Sequence, residues 1–316
     1  MPPFQRDPKL PDSKLSHAAG FFALSLDKKP TTAYLKSVEG GHHRAAVIDE
    51  PIGPDTTRVK HISTVEIEPI SIEFGISGAE AMLQWIQQSW KREYIRHNGQ
   101  ITHANFDRYQ TFVHEFRDAL ITETTFPTLD GSSKEAAYLK VKIQPEHVTE
   151  THQKGPQIDG NLGSKQKMWM CSGYRFTIDH VDGFQYTNKL DSFTIKQGIK
   201  KLYTGGGRLP EIEPTKIDFP NLTGTVSLAY AKPILDWYQK YVVEGSQDPG
   251  AQQHGAIEFL SPDRASTLFK IQLYGVGIHH AEIVASTANS DQLKRVKYEL
   301  YVESMELDGS GALGME

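Results

Sequence analysis

Apolar and polar residues alternate over several short stretches of the chain, which is typical of strands that expose one face to water. In the first half of the chain such stretches lie at 20–27, 64–74 and 137–143. In the second half they lie at 173–179, 215–219, 222–228 and 297–303. The pattern therefore predicts many short antiparallel strands.

Two segments change to a helical period, one in each half. Residues 79–90 place apolar side chains on one stripe, and residues 231–241 do the same. The stripes consist of Met82, Leu83, Ile86 and Trp90, and of Ile234, Leu235, Tyr238 and Tyr241. We expect one helix per half, packed on the strands through Leu83 and Trp85 and through Leu235 and Trp237.

The order of elements is the same in both halves, which indicates an internal repeat. Leu83-x-Trp85 recurs as Leu235-x-Trp237, and Asp107-Arg108 recurs as Asp263-Arg264. A polar segment with glycines separates the halves and is typical of a linker. We predict an arm at 1–17, a first domain at 18–150, a linker at 151–166, a second domain at 167–308 and a tail at 309–316. The fold class is mainly β, a sandwich or barrel with one flanking helix per domain.

Composition excludes several classes of protein. The 316 residues contain 38% hydrophobic and 23% charged residues, which excludes a disordered chain. The net charge of -5 argues against a nucleic-acid binder that works by counterion release. Cys171 is the only cysteine, so neither an intrachain disulfide nor a cysteine-built zinc site can form. The sequence shows neither a secretion signal nor a run of about 20 apolar residues, so we expect cytoplasmic folding.

A set of short motifs in the first half resembles the tail-tube proteins of contractile-tailed phages and related injection systems. The motifs are Ser37-Val-Glu-Gly-Gly41, Ser77-Gly-Ala79, Leu83-x-Trp85-Ile86, and Asn98-Gly-x-Ile101 followed by Asp107. In the second half Leu235-x-Trp237 persists, while His254-Gly-Ala-Ile257 replaces the Asn-Gly-x-Ile pattern. The chain thus resembles a tandem, two-domain form of this family.

The resemblance implies rings of six domains that stack into a hollow tube. A chain with two domains would close such a ring as three copies. The segments 39–60 and 198–214 contain many polar residues and glycines and are expected to be long loops that reach the next ring. Within them the expected stacking residues are Glu39, Gly40, Gly41, His42, His43 and Arg44, and Gly205, Gly206, Gly207 and Arg208. Strands 64–74 and 222–230 would close the ring through Val65, Ile67, Ile70, Ile72, Phe74, Val226 and Leu228.

The implied partners are further copies of the chain, a sheath, a baseplate hub or spike and a tube terminator. Nucleic acid or protein would only pass through the lumen, and no cofactor, metal or catalytic residue is expected. The protein would be assembled in the cytoplasm and work in a virion tail or an injection particle. One alternative is a trimeric hub that joins a threefold spike to the sixfold tube. Another is a hydrolase or carbohydrate-binding β-sandwich that uses clustered carboxylates such as Glu66 and Glu68, or Glu211 and Glu213.

Other conspicuous residues have structural interpretations. Adjacent histidines in a strand point to opposite faces, so His42-His43 and His279-His280 are expected at a surface or interface rather than on one metal ion. No Lys-Ser/Thr follows Gly205-Gly-Gly-Arg208, which excludes a P-loop. Gly275-Val-Gly277 is expected at a bulge or a close backbone contact. Cys171 is expected to be a buried structural thiol.

Overall fold

The architecture comes from a computed structural model that describes residues 20–28, 32–51, 53, 58–76, 78–152, 154–158, 169–246, 252–284 and 294–309. The predicted arm at 1–17, most of the predicted linker and nearly all of the tail lie outside these residues, as does Ser77.

The first repeat contains ten strands and one helix. They are β1 (Phe21–Leu26), β2 (Ala33–Glu39), β3 (His43–Pro51), β4 (Arg58–Ile67), β5 (Ile70–Phe74), α1 (Glu80–Trp90), β6 (His97–Ala104), β7 (Gln110–Phe126), β8 (Leu129–Asp130), β9 (Leu139–Gln144) and β10 (His147–Thr151).

The second repeat contains eight strands and one helix. They are β11 (Tyr174–Ile178), β12 (Thr187–Leu190), β13 (Phe193–Leu202), β14 (Glu211–Asp218), β15 (Leu222–Ser227), α2 (Lys232–Tyr238), β16 (Gln253–Leu260), β17 (Thr267–Ile283) and β18 (Arg295–Asp308).

Six strands of the first repeat close a barrel in the order β1-β6-β7-β9-β5-β2, and β2 pairs back with β1. Every pairing is antiparallel. The alternation in β5 puts Ile70, Ile72 and Phe74 inside the barrel, where they are fully buried. The alternating pattern therefore identified the core face correctly.

The second repeat has the same strand order, β11-β16-β17-β18-β15-β12, but its barrel is open. The two end strands do not pair with each other. Instead the hydroxyl of Tyr174 donates to the carbonyl oxygen of Thr187 at 2.9 Å across the opening. The predicted fold class, with two tandem domains of one plan, is confirmed.

The irregularities of the strands recur as well as their order. The register shifts between Leu35 and Ser37 in β2, and between Thr187 and Lys189 in β12, 152 positions later. It shifts again at Ile121 in β7 and at Ile278 in β17, 157 positions later. Bulges at matching positions mean that the two repeats correspond residue by residue.

Each helix packs on its barrel through the predicted apolar stripe. The two helices are buried to different depths. Leu83 and Trp85 of α1 are fully buried, and the Trp85 indole N–H donates to the Ile95 carbonyl oxygen at 3.1 Å. α2 is shorter, and Leu235 and Trp237 pack against the core while half-buried. Neither helix in the described part of the chain is long and apolar enough to span a membrane.

Two segments predicted to be long loops are instead β-hairpins. Segment 39–60 contains β3 and the first part of β4, and segment 198–214 contains the last part of β13 and the first part of β14. The glycines and proline that suggested a loop, Gly40, Gly41 and Pro51, lie at strand ends, where they do not interrupt pairing.

Two predicted strands are also shorter than expected. Pro69 lacks an N–H to donate, and the stretch 64–74 is divided at residues 68–69 into β4 and β5. Leu228 lies in a 3₁₀ turn, Leu228–Tyr230, and not in β15.

Replacing each of the two equivalent tryptophans by alanine tests their unequal burial. Trp85→Ala should lower the free energy of unfolding by about 3–5 kcal/mol, because it leaves a cavity in a closed core. Trp237→Ala should cost about 1–2 kcal/mol, because part of that side chain is already exposed to water. Urea unfolding followed by far-UV circular dichroism measures both. Equal losses would contradict the assigned depths.

Candidate functional site

The two repeats are joined by strand pairing. β13 of the second repeat pairs antiparallel with the end of β7, in the register Phe193↔Phe126, Thr194↔Thr125, Ile195↔Thr124 and Lys196↔Glu123. The hydroxyls of Thr125 and Thr194 hydrogen-bond at 2.9 Å. The short strand β8 pairs in turn with β12. Each repeat therefore adds strand to the sheet of the other.

Aromatic rings fill the space behind this pairing. The Phe126 and Phe193 rings stack with centroids 5.0 Å apart and planes 11° apart, and Phe259 lies 5.6 Å from Phe126 on a second side. Phe126 and Phe259 are fully buried. Stacked rings of this kind add to the free energy gained by burial alone, so one hydrophobic core runs through both repeats.

Polar contacts hold the hairpin β13–β14 against the first repeat. Lys201 Nζ lies 2.7 Å from Glu66 Oε2, and the hydroxyl of Tyr203 donates to Glu66 Oε1 at 3.1 Å. The hydrogen bond from Lys201 lowers the pKa of Glu66 below its usual value. Because Glu66 is engaged in this way, its carboxylate acts as an anchor for the hairpin.

A second anchor involves Arg96, Glu146 and Ile212. The Arg96 guanidinium donates both to the Glu146 carboxylate and to the Ile212 carbonyl oxygen. The Ile212 N–H donates to Glu146 Oε1 at 2.9 Å. Glu146, Asp118 and His147 have ligand atoms within 4.8 Å of one another, a spacing that could hold a metal ion. We assign Glu146 to the hairpin anchor, because Arg96 already neutralises it.

The equivalent hairpin of the first repeat, β3–β4, contacts the second repeat near its root, where Glu66 of β4 binds Lys201 and Tyr203. Among the described residues its two strands pair only with each other, and nearly every position of β3 is exposed. Its exposed apolar side chains are Val47, Ile48, Val59 and Ile62. Exposed apolar side chains on an unpaired edge usually mark an interaction surface.

The predicted stacking residues lie at opposite ends of the two equivalent hairpins. Residues 39–44 lie at the root of β3–β4, where the chain leaves the barrel. Residues 205–208 lie in the exposed turn at the tip of β13–β14. The stacking role of both sets stays a prediction, but the two sets cannot act in the same way.

Two of the strands predicted to close the ring, β5 and β15, have no free edge among the described residues. β5 pairs with β2 on one side and with β9 on the other, and β15 pairs with β12 and β18. Their apolar side chains, Ile70, Ile72, Phe74 and Val226, are buried in the cores of their own repeats, and strands paired on both edges cannot hydrogen-bond a neighbouring copy. Val65 and Ile67 of the same prediction lie in β4, which pairs only with β3 among the described residues, and their role in ring closure stays a prediction.

A group of histidines at the root of β3–β4 joins His42, a predicted stacking residue, to His103 and His114, which no sequence-based prediction named. His114 in β7 is buried, and its Nε2 lies 2.9 Å from the Gly41 carbonyl oxygen. His42 Nδ1 lies 2.7 Å from Glu150 Oε1 on β10. Strands distant in sequence bring these residues together, so spacing along the chain gave no signal for the group.

His103 belongs to the same group and lies between two rings. The Phe22 and Phe112 centroids are each 4.9 Å from its imidazole. Its Nε2 is buried without a hydrogen-bond partner among the described residues. Burial, together with the nearby His114 and His42, lowers the pKa of His103 to about 4.

The remaining conspicuous residues are structural. Cys171 is buried, as predicted, and burial raises the pKa of its thiol. Gly275 has φ of +63°, and a Cβ on Gly277 would lie 2.2 Å from the Tyr301 ring. The close backbone packing predicted for this motif is therefore confirmed.

His103→Phe should reduce the acid sensitivity of the protein. The unfolded chain protonates His103 below its ordinary pKa of 6.5, whereas the folded chain keeps it neutral down to about pH 4. The unfolded state then binds more protons, so the free energy of unfolding falls as the pH falls from 6.5 to 4. Phenylalanine removes this contribution, and urea titrations across that range should show a shallower decline. The exposed His43→Gln variant should keep the wild-type slope; an unchanged slope for His103→Phe would refute the assignment.

Comparison with known families gives a match over the first repeat. Residues 20–149 match the family described as T4-like virus tail tube protein gp19. A comparison with curated proteins found no match.

A comparison with solved structures found chains of low identity that each cover less than half of this chain. A chain of the PVC sheath-tube complex in the extended state is 17% identical, covers 44% of this chain and 94% of its own length, and has a TM-score of 0.38. The anti-feeding prophage tube-terminating cap is 18% identical, with coverage of 47% and 100% and a TM-score of 0.38. Hcp1 from Flavobacterium johnsoniae is 11% identical, with coverage of 44% and 96% and a TM-score of 0.26. The first repeat, residues 20–149, matches the tail tube protein family, and the chain joins it to a second repeat with the same strand order.

Proposed function

We propose that the protein is a structural component of the tail tube of a contractile phage tail or injection system. Three copies form a ring of six domains, and the rings stack into a hollow conduit. The domains correspond to residues 18–150 and 167–308. The observation that supports this most is the duplication of a tail-tube-family domain in one chain, with the repeats joined by strand pairing.

The contact between the repeats is of the kind that a ring requires. It is heterologous, since the β13–β14 hairpin of one domain adds to the β7 edge of the other. A heterologous contact that repeats with a closing rotation produces a ring. The chain therefore contains one of the domain-to-domain contacts of the proposed ring.

Sheath, baseplate and tube-terminator proteins are the partners that this function requires. The protein would assemble in the cytoplasm and work in a virion tail or an injection particle. Nucleic acid or protein passes through the lumen and is not otherwise bound.

A second function, a trimeric hub between a threefold spike and a sixfold tube, is favoured by the differences between the repeats. The first barrel is closed and the second is open. A ring of three such chains has six domains but only a threefold axis. One face of such a ring contacts the six domains of a tube ring, and the other face contacts a threefold spike.

Electron microscopy of the purified protein, with native mass spectrometry, tests both functions. We expect rings of three chains with six lobes that stack into tubes. Rings of three that never stack would support the hub and contradict the tube. A monomer at micromolar concentration would contradict both and would direct attention to the hydrolase or carbohydrate-binding alternative.

A further inference from the structure

The edge of β17 over residues 280–283 is equivalent to the edge of β7 that β13 covers. Ile121 and Ile278 mark the same bulge, so Glu123, Thr124, Thr125 and Phe126 correspond to His280, Ala281, Glu282 and Ile283. Both segments pair on one side with the equivalent strand, β9 or β18. In β7 the other side is covered by β13.

The corresponding side of β17 is uncovered among the described residues. No described strand pairs with the outer edge of 280–283, and β16 ends its pairing at Val276. Ile283 is 57% exposed and Val284 is 41% exposed, whereas Phe126 in the equivalent position to Ile283 is fully buried. An apolar, unpaired strand edge is a template for pairing with another chain.

The hairpin β3–β4 is the equivalent of the hairpin that covers β7. The pair Arg44↔Glu66 corresponds to Lys196↔Asp218, and Val47↔Ile62 corresponds to Ile199↔Pro214, each 152 positions later. Both hairpins shift register at the same place, after Ala45 and after Gln197. Among the described residues, the β3–β4 hairpin and the β17 edge thus have no further strand paired to them. They are equivalent to the β13–β14 hairpin and the β7 edge, which pair with each other.

We propose that the β3–β4 hairpin of one copy adds to the β17 edge of a second copy. The register follows from the equivalent contact within the chain: His42↔Glu282, His43↔Ala281 and Arg44↔His280. Gly41 is left out, because its φ of +82° is not extended and its carbonyl oxygen lies 2.9 Å from His114 Nε2. The inference rests on the proposed ring and specifies its contact between chains. The occupant is a second copy, because β3–β4 does not reach β17 within its own chain.

Hydrogen-bonding side chains complement this register at its best-exposed pair. In the proposed contact His42 and Glu282, both exposed, face each other at the positions held within the chain by Thr194 and Thr125. An imidazole and a carboxylate can hydrogen-bond as the two threonine hydroxyls do, and such directly facing pairs stabilise antiparallel strands. His42 already lies beside a carboxylate, that of Glu150, so its side chain is oriented at the root of the hairpin.

Engineered cysteines test the register directly. The double variant His42→Cys with Glu282→Cys should form disulfides between chains under mild oxidation and yield linked dimers and closed trimers on non-reducing gels. The native Cys171 is buried and does not compete. The double variant Thr125→Cys with Thr194→Cys is the matched positive control, because those hydroxyls are 2.9 Å apart and their replacement should link within one chain.

A pair out of register is the negative control. His42→Cys with Ala281→Cys places the two thiols on opposite faces of the sheet, so it should cross-link at least roughly tenfold less. Equal linking by both pairs, or linking by the out-of-register pair alone, would overturn the proposed register.

Electron microscopy of the same samples separates this inference from the proposed ring. The His42/Glu282 variant could form rings without disulfides while the Thr125/Thr194 variant forms its disulfide. That result would overturn the strand addition and leave the proposed ring intact. Absence of both rings and disulfides would overturn both.

Discussion

The backbone N–H and C=O groups at the end of β7 must be hydrogen-bonded, because the Phe126 side chain buries this edge against the second repeat. β13 supplies the partners, and the other contacts of the β13–β14 hairpin with the first repeat accompany that pairing. The Phe126–Phe193 stack is possible because the two strands are in register. The Lys201–Glu66 and Arg96–Glu146 anchors then fix the direction in which the hairpin leaves its own barrel.

Equivalent positions carry different residues in the contact within the chain and in the proposed contact between chains. The residues in each case suit the kind of contact that they form. Within the chain, Phe193 and Phe126 form a stack that becomes buried when the chain folds. The residues at the equivalent positions are Gly41, which has no side chain and is buried in its own repeat, and Ile283, which is exposed. Because two folded copies must meet with the β17 edge exposed, a large aromatic ring in place of Ile283 would favour uncontrolled association.

The sequence predicted what depends on local pattern and missed what depends on pairing. Alternation identified the buried faces of β5 and β15, and the Leu-x-Trp repeat identified the helices and the duplication. Alternation says which face of a strand is buried but not which edge is free, and for that reason ring closure was assigned to β5 and β15. The edge of β17 gave no signal, because its openness is apparent only when the covered edge of β7 is known.

Fusion of two domains changes the assembly as well as its symmetry. In a ring of three chains, half of the six contacts between domains form when the chain folds. The effective concentration of the two partners in these contacts is set by the chain and not by the amount of protein. The remaining contacts, between β3–β4 and β17, then decide whether a ring forms, so a modest hairpin interface can control assembly. Because the two kinds of contact have different residues, one kind can be weakened without unfolding the chain, and this separates the stability of the subunit from the stability of the ring.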